Sequence, residues 1–233
     1  RTDKQGFLPE LLEEMYDQRV LFKRKMIDKQ IELETIDKND LTKRKRCEYD
    51  IVKYNNNQMV RKISLNSCYG ALGNQYFRYF NREIAEGITT SGQLSIKWVE
   101  RAVNKFLNNL LETDKDYVVA IDTDSIYVKL GGMVNKIFKD QSDNRKIVKV
   151  LDKFCEEKLQ PFIDKSFAKL AKYVSAYDQK MIMKREVIAN KGIWTAKKRY
   201  ILNVFNEEGL DLKEPKLKIM GIEAVKSSTP APC

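Results

Sequence analysis

Two long charged segments near the start of the chain carry apolar residues at helical spacing, and they restrict the possible folds more than any other feature. The first segment covers residues 8 to about 36, and Pro9 suits its first turn. The second covers residues from about 47 to 72 and stops at Gly73-Asn74. Because only the polar segment "DKNDLTKR" lies between them, we predict an antiparallel helical hairpin.

The rest of the chain alternates between helical and strand-like patterns. A helical stripe covers residues from about 82 to 111, and two β-rich segments, "YVVAI" and "SIYVKL", follow it. A helix near residues 145–174 comes next, and Pro161 is expected to kink or divide it. "KMIMKREVIA" and "WTAKKRYILNVFN" are strand-like, and "EEGLD" predicts a turn before "LKIMGIEAV". These patterns predict an α+β fold.

The order after the hairpin is helix, strand, strand, helix, strand, which is a split β-α-β-β-α-β arrangement without its first strand. We therefore predict an antiparallel, ferredoxin-like sheet covered by helices, with its first strand missing. Such a sheet would have an exposed edge and an unfilled core. This pattern indicates an incomplete chain.

The net charge and the residue types restrict the possible partners and catalytic mechanisms. A net charge of +10 and a sequence pI of about 9.3 favour a polyanionic partner such as nucleic acid. The sequence has no His, which excludes Ser-His and Cys-His catalysis, and its four cysteines form no C-x-x-C pair. Reduced thiols in the cytosol are therefore expected. No apolar segment has the length of a transmembrane helix, so no membrane partner is expected.

Two carboxylates, Asp122 and Asp124, interrupt the strand-like segment "YVVAIDTDSIYVKL". If Thr123 and Asp124 turn a hairpin, both carboxylates lie at its tip. Asp, Thr and Ser are common in ordinary turns, which is one interpretation. The other is a site for Mg²⁺, because carboxylate oxygens are its preferred ligands. Glu186, on a separate strand-like segment, is either a third acidic ligand or a solvated surface residue.

The predicted hairpin carries cations that suit a phosphate. Arg19 and Lys23 are four residues apart on one helix face. Lys62, Asn66 and Tyr69 share a face of the second helix and could hold a phosphate and stack on a nucleotide. A solvated face with a core tyrosine is the alternative for each set taken alone.

A basic and aromatic cluster follows in "WTAKKRYILNV", where Lys197, Lys198 and Arg199 precede Tyr200. Basic and aromatic residues interleaved on a strand suit a nucleic-acid backbone. A charged surface strand would show the same pattern.

Taken together, these segments resemble family B DNA polymerases of the T-even bacteriophage type. The matching stretches are "RKISLNSCYGALGNQYFRYF", "DTDSIYV", "KREVIA", "WTAKKRYILNVF" and "EPKLKIMGIEAVKSSTP". They occur in the family's order with similar spacing and extend over nearly the whole chain from Gly6. The combination of K-x-x-x-N-S-x-Y-G with D-T-D-S is specific to the family.

The resemblance implies roles for the carboxylates. Asp124 would be a direct ligand of Mg²⁺, and Asp122 would tune the position of the metal from slightly further away. Glu186 is a further candidate ligand. Two Mg²⁺ ions are expected, and one set of ligands is incomplete in this chain.

The resemblance also implies how substrates would bind. Lys62 would contact the triphosphate of the incoming dNTP and serve as general acid for the pyrophosphate leaving group. Arg19 would grip the γ-phosphate, with Lys23 one turn further along. Asn66 and Tyr69 would line the pocket of the nascent base pair. The cluster Lys197, Lys198, Arg199 and Tyr200 would hold the primer-template DNA.

The sequence departs from the family pattern in three places. Ile121 stands where the family usually has Gly, which would alter how closely the primer end approaches. Lys184 replaces an acid found before "RE" in the phage enzymes. The upstream "D-x-x-S-L-Y-P" motif, which carries another metal carboxylate, is absent. Residues 1–74 would be fingers, 75–226 most of the palm and 227–233 the start of the connection to the thumb.

The expected function is thus that of a fragment of a DNA-directed DNA polymerase, inactive by itself. It would work with the missing amino-terminal, palm and thumb segments and with a sliding clamp, in the cytoplasm of an infected bacterial host. Two alternatives stay open at this point. One is a non-catalytic DNA-binding remnant, and the other is one half of a naturally split polymerase, for which Cys233 could be an intein junction residue.

Overall fold

The computed structural model describes residues 4–138 and 143–223. Its contacts divide the chain into two compact units, one up to Thr90 and the other from Ser91 onward. The predicted connection at residues 227–233, with Cys233, lies outside the described residues. None of the helices in the described ranges is long and apolar enough to cross a membrane.

The first unit contains the predicted helical hairpin. Helix α1 covers Phe7–Thr35 and helix α2 covers Leu41–Leu72. The prediction that α2 begins near residue 47 was wrong, because the side chain of Asp40 accepts a hydrogen bond from the backbone N–H of Lys43 at 3.1 Å and caps the helix earlier. The polar residues after Asp40 therefore belong to the helix.

The two helices run antiparallel, since residues late in α2 meet residues early in α1. The Cys47 thiol donates to the Lys29 carbonyl at 3.1 Å, and Nε of Arg61 donates to Oε1 of Gln18 at 2.9 Å. Helix α1 has no fully buried residue. The hairpin is thus a two-helix layer whose stability depends on side-chain contacts between the helices.

The second unit is built around helix α3, Arg82–Leu111, which begins in the first unit. Val99, Val103 and Leu107 are completely buried along one stripe of α3 and form the centre of the core. The Asn104 side chain accepts hydrogen bonds from the backbone N–H groups of Tyr117 and Val118 at 2.8 and 3.0 Å. These bonds fix the start of the following strand against α3.

Strands β1, Val118–Asp122, and β2, Ser125–Val128, form the predicted antiparallel hairpin. We call this pair the aspartate hairpin. A short helix that the sequence analysis did not predict, α4, covers Gly131–Ile137. Ile121, Ile126 and Val128 pack against the core of the second unit. The hairpin is therefore anchored along its length while its tip extends beyond the core.

The predicted helix near residues 145–174 is divided at the expected proline. Helix α5 covers Asn144–Phe154, a π-helical turn covers Cys155–Leu159, and α6 covers Gln160–Tyr173. Pro161 lies in the first turn of α6 and has no N–H to donate, so the wider turn before it accommodates the interrupted bonding. Burial raises the pKa of the Cys155 thiol to about 11, so it remains protonated as a small core residue.

Three strands complete the unit: β3, Val187–Ala196, β4, Arg199–Glu207, and β5, Leu210–Met220, which pair antiparallel in that order. The turn predicted at "EEGLD" is confirmed at Glu208-Gly209, where both residues have positive φ. The described strands hydrogen-bond in two sheets, of two and three strands. The predicted α+β class, with helices followed by an antiparallel sheet, is confirmed.

Two strand predictions need correction. The segment 180–186 is not a strand, because β3 begins only at Val187 and continues through Trp194. "WTAKKRYILNVFN" is not one strand but the end of β3, a turn and most of β4. Alternating apolar residues on both sides of the turn gave the sequence a continuous strand pattern.

Candidate functional site

The tip of the aspartate hairpin is a tight turn made by Thr123 and Asp124. Asp122 pairs with Ser125 across it, and the backbone N–H of Asp124 donates to the carbonyl of Asp122 at 2.7 Å. Thr123 has a φ of 53°, which is unfavourable for a β-branched residue. A strained residue between two carboxylates is the kind of feature that occurs at functional sites.

The two carboxylates lie in different surroundings. The Asp124 side chain belongs to an exposed residue at the turn. The Asp122 carboxylate is 29% exposed, and its Oδ1 accepts a hydrogen bond from the Thr123 hydroxyl at 3.2 Å. The same oxygen lies 3.9 Å from Nζ of Lys198. Asp124 is thus open to a ligand, whereas Asp122 is already engaged by protein groups.

Lys198 occupies a second turn, which we call the lysine turn, Lys197-Lys198, between β3 and β4. The prediction that these lysines lie on a strand was therefore wrong. Lys198 has a φ of 63°, and Gly221, with a φ of 65°, lies so close to its carbonyl that a Cβ at position 221 would collide with it. Gly221, which immediately follows β5, therefore lets the backbone pack closely against the lysine turn. Arg199 begins β4 and forms an ion pair with Glu223 at 3.0 Å.

Three aromatic rings lie between the aspartate hairpin and the lysine turn. The Tyr127 ring is 5.3 Å from both Trp194 and Tyr200, measured between centroids. Tyr200 is only 6% exposed, and its burial, followed by hydrogen bonding with Tyr127, raises its pKa well above the ordinary value. Tyr200 therefore contacts the other rings more than solvent, in contrast to the exposed lysines beside it.

These elements enclose a cleft of about 230 Å³. Its lining includes Ile121, Asp122, Tyr127, Lys197, Lys198 and Tyr200. The chain thus brings together the aspartate hairpin and the lysine turn, which are far apart in sequence. Ile121, one of the departures from the family pattern, is part of this wall.

Glu186 lies immediately before β3 rather than on a strand. Its Oε1 accepts a hydrogen bond from Nζ of Lys218 on β5 at 2.9 Å, and the Glu186 side chain is 57% exposed. Among residues 4–138 and 143–223, no group of three or more His, Cys, Asp or Glu side chains is arranged to hold a metal ion. Glu186 therefore does not join Asp122 and Asp124 in one cluster.

A polar network that sequence reasoning missed holds the residue next to Glu186. Arg185 donates to Oδ1 of Asn206 at 2.6 Å and forms an ion pair with Asp152. Asn206, 1% exposed, donates in turn to Oδ1 of Asp211 at 2.7 Å. The network joins α5, β4 and β5 to the segment that carries Glu186. An Asn at a buried position of an otherwise apolar strand face was the available signal.

The helical hairpin carries the other predicted site residues. Arg19 and Lys23 lie one turn apart on α1, as predicted. Nε of Arg19 is buried and has no hydrogen-bond partner among the residues that the structure describes. A buried N–H without an acceptor is costly, and a guanidinium is a strong hydrogen-bond donor to anions such as phosphate.

Helix α2 carries Lys62, Asn66 and Tyr69, all exposed and all within a continuous helix. Their spacing of four and three residues places them on one face. This surface has a cation, an amide and an aromatic ring, and the Tyr69 residue that carries the ring is 42% exposed. It can offer charge, hydrogen bonds and stacking to one ligand.

Comparisons with known proteins identify relatives. A family model described as DNA polymerase family B matches residues 1–160. The DNA-directed DNA polymerase of Escherichia phage RB69 is 45% identical over 183 residues, which cover 74% of this chain and 20% of that protein. The DNA-directed DNA polymerase of Enterobacteria phage T4 is 42% identical over 197 residues, covering 79% of this chain and 22% of that protein.

A more distant relative matches almost the whole chain. DNA polymerase beta of African swine fever virus, isolate Tick/Malawi/Lil 20-1/1983, is 26% identical over 234 residues, which cover 96% of this chain and 18% of that protein. The chain thus spans about a fifth of the length of the curated relatives it matches.

Proposed function

The chain belongs to DNA polymerase family B, and from this premise we propose that it supplies the fingers and most of the palm of a DNA-directed DNA polymerase. The reaction is transfer of a nucleotide from a dNTP to the 3′-hydroxyl of a DNA primer. The observation that carries the proposal is the strained D-T-D tip, whose Asp122 lines one cleft together with the lysine turn. This arrangement offers carboxylates for cations and ammonium groups for a nucleic-acid backbone within one small region.

The residues present fit part of a magnesium site. Asp124 and Asp122 supply the hard oxygen donors that Mg²⁺ prefers, and Asp124 is the more open of the two. The described residues do not gather a third ligand beside them, so further donors would come from elsewhere in the polymerase. When bound, Mg²⁺ would stabilise negative charge on the reacting phosphate.

The remaining roles belong to side chains of this chain. Lys198, with Lys197 and Arg199, holds the phosphate backbone of the primer-template near its end, while buried Tyr200 supports the turn. Arg19 and Lys23 bind the outer phosphates of the dNTP, and Lys62 donates a proton to the departing pyrophosphate. Asn66 and Tyr69 contact the nascent base pair.

The partners and location of the polymerase follow from the same proposal. The polymerase binds primer-template DNA and dNTP, requires its remaining palm and thumb segments, and engages a sliding clamp. As a phage-type enzyme it acts in the cytoplasm of an infected bacterium. The absence of "D-x-x-S-L-Y-P" from this sequence predicts that the chain alone does not extend primers.

Primer extension tests the proposal. We define the complete polymerase as this chain joined to the remaining segments of the phage RB69 relative. We expect Mg²⁺-dependent extension by the complete polymerase and none by the chain alone. Salt-sensitive DNA binding without extension by a folded complete polymerase would instead support a non-catalytic DNA-binding remnant.

The dNTP-binding role of the helical hairpin gives a first prediction. Arg19→Ala in the complete polymerase should weaken dNTP binding by roughly 10- to 100-fold, the value of a charge-assisted hydrogen bond. Lys62→Met should lower the single-turnover rate by about 10²-fold or more, since it removes a general acid. Rapid-quench kinetics over a range of dNTP concentrations measure both effects.

Lys53→Met is the matched control for Lys62→Met. Lys53 is also an exposed lysine of α2, and nine residues of helix place it about half a turn away from Lys62. We expect near-normal kinetics for this variant. Equal losses of the single-turnover rate in both lysine variants would mean that Lys62 contributes only positive charge and does not act as a general acid.

The ion pair between Lys218 and Glu186 gives a second prediction. If Glu186 assists the metal site, the Lys218 ammonium competes with Mg²⁺ for its carboxylate. A partly exposed pair is worth about 1 kcal/mol or less, so Lys218→Met should lower the Mg²⁺ concentration for half-maximal activity by about two- to fivefold. Titration of primer extension with Mg²⁺ measures the shift.

Lys216→Met controls for the loss of positive charge from β5. Lys216 lies two residues away on the same strand, but its partner is Glu207 at 4.0 Å. We expect no change in Mg²⁺ dependence for this variant. The same shift in both variants, or in neither, would mean that Glu186 does not assist the metal site.

A further inference from the structure

We propose that Arg61 is a positioning residue. It keeps Arg19 and Lys23 of α1 at a fixed position relative to Lys62 of α2, so that all three cations can contact the triphosphate. This inference rests on the proposed function, because it assigns Arg61 a role in the same dNTP site. Arg61 itself is half-buried between α1 and α2 and is not one of the predicted ligands.

The Arg61 guanidinium makes two different contacts with α1. Its Nε donates to Oε1 of Gln18 at 2.9 Å across the hairpin. Its planar group lies over the ring of Phe22, with 4.5 Å between the guanidinium carbon and the ring centroid. A hydrogen bond and a cation–π contact from one rigid group fix both distance and orientation.

The guanidinium is also held by its own helix. Its Nη1 donates to the carbonyl of Asn57 at 3.0 Å, one turn earlier in α2. Phe22 in turn packs against Tyr54 of α2, with 6.3 Å between the ring centroids. Arg61 is thus fixed relative to α2 before it reaches α1.

The sequence positions of these contacts connect them to the proposed site. Gln18 and Phe22 immediately precede Arg19 and Lys23, and Arg61 immediately precedes Lys62. The two residues that Arg61 contacts on α1 are therefore each next to a proposed phosphate ligand, and Arg61 is next to the third. Rotation or sliding of α1 against α2 would move Arg19 and Lys23 relative to Lys62. Arg61 resists both movements.

A second arginine of α2 provides a control for simple stabilisation of the hairpin. Arg44 also reaches from α2 to α1, where its Nη1 donates to the carbonyls of Leu33 and Ile36, each at 3.4 Å. These contacts lie at the connection between the helices, far along the sequence from Arg19 and Lys62. Loss of Arg44 should destabilise the hairpin without moving Arg19 and Lys23 relative to Lys62.

The experiment compares Arg61→Met and Arg44→Met in the complete polymerase. We expect Arg61→Met to weaken dNTP binding roughly tenfold, within the ~10²-fold that a misplacement of about 1 Å can cost. Primer-template affinity should stay unchanged, and Arg44→Met should leave dNTP binding near normal. The double variant R61K/Q18E, which can form a charge-assisted bond at the same place, should recover part of the lost affinity.

Arg19→Ala in the same assay separates the inference from the proposed function. If Arg19→Ala does not weaken dNTP binding, the proposed dNTP site itself is wrong. If Arg19→Ala weakens it but Arg61→Met does not, only the positioning role is wrong. Equal losses in Arg61→Met and Arg44→Met, with no recovery in R61K/Q18E, would also overturn it, since they would mean that Arg61 merely stabilises the hairpin.

Discussion

Replacing Asp124 by Asn in the complete polymerase is expected to lower the rate of nucleotide addition by about 10²–10³-fold, the effect of removing one group that stabilises transition-state charge. Asn has the same shape as Asp but carries no charge, so it is a poor ligand for Mg²⁺. Because Asp124 is exposed at the turn, the substitution should not disturb the aspartate hairpin. Single-turnover primer extension at saturating dNTP measures the rate.

The interpretation of Asp124→Asn requires that folding and DNA binding are intact. Primer-template affinity should remain within a factor of about two to three of the parent, because an exposed substitution of this kind usually changes stability by less than ~0.5 kcal/mol. Asp114→Asn is the matched control, since Asp114 is another exposed aspartate and lies four residues before the start of β1. Near-normal turnover for Asp124→Asn would refute the proposed role of this carboxylate.

The helices and turns that were predicted correctly are those determined by residues close together in the sequence. The helices α1 and α3 and the aspartate hairpin followed from helical spacing and from β-rich segments around polar turn residues. The break at Pro161 followed from its missing N–H. These features are encoded within a few residues of where they occur.

The site could be predicted only in part, because its arrangement depends on contacts between distant residues. The sequence suggested Asp122 and Lys198 separately, but not their approach to 3.9 Å across a shared cleft. It placed Lys198 on a strand, since the turn at that position lacks the Asn-Gly or Gly-Gly signals of a hairpin. Gly221 beneath that turn explains how a lysine with positive φ is accommodated.

Charged residues whose partners are distant in the sequence were the hardest to interpret. Arg61 is one of 43 Lys and Arg residues, and nothing near it indicates that its partner is Gln18. Lys218 similarly has its partner 32 residues earlier. The sequence therefore identified the candidate ligands and catalytic groups. The residues that position them, such as Arg61, could be identified only from the three-dimensional contacts.

Replacing Asn206 by Ala is expected to have the largest effect on local stability. Asn206 is 1% exposed, and its side-chain oxygen accepts from Arg185 at 2.6 Å and from the backbone N–H of Gly209 at 3.2 Å. Removing it leaves the Arg185 guanidinium with a buried N–H that has lost its acceptor, a cost of about 3 kcal/mol for a charged group. The opening of β4 and β5 should then become roughly 100-fold more frequent.

Hydrogen exchange of peptides from β4 and β5 in the complete polymerase measures that opening. Asn203→Ala is the control, because Asn203 lies on the same strand and its side-chain amide donates to exposed Asn190 at 2.9 Å. This substitution should change stability by less than about 0.5 kcal/mol. Since Arg185 adjoins Glu186, Asn206→Ala should also raise the Mg²⁺ requirement if Glu186 assists the metal site. Equal exchange in the two variants would show that water replaces the Asn206 oxygen at Arg185, and that the network does not stabilise β4 and β5.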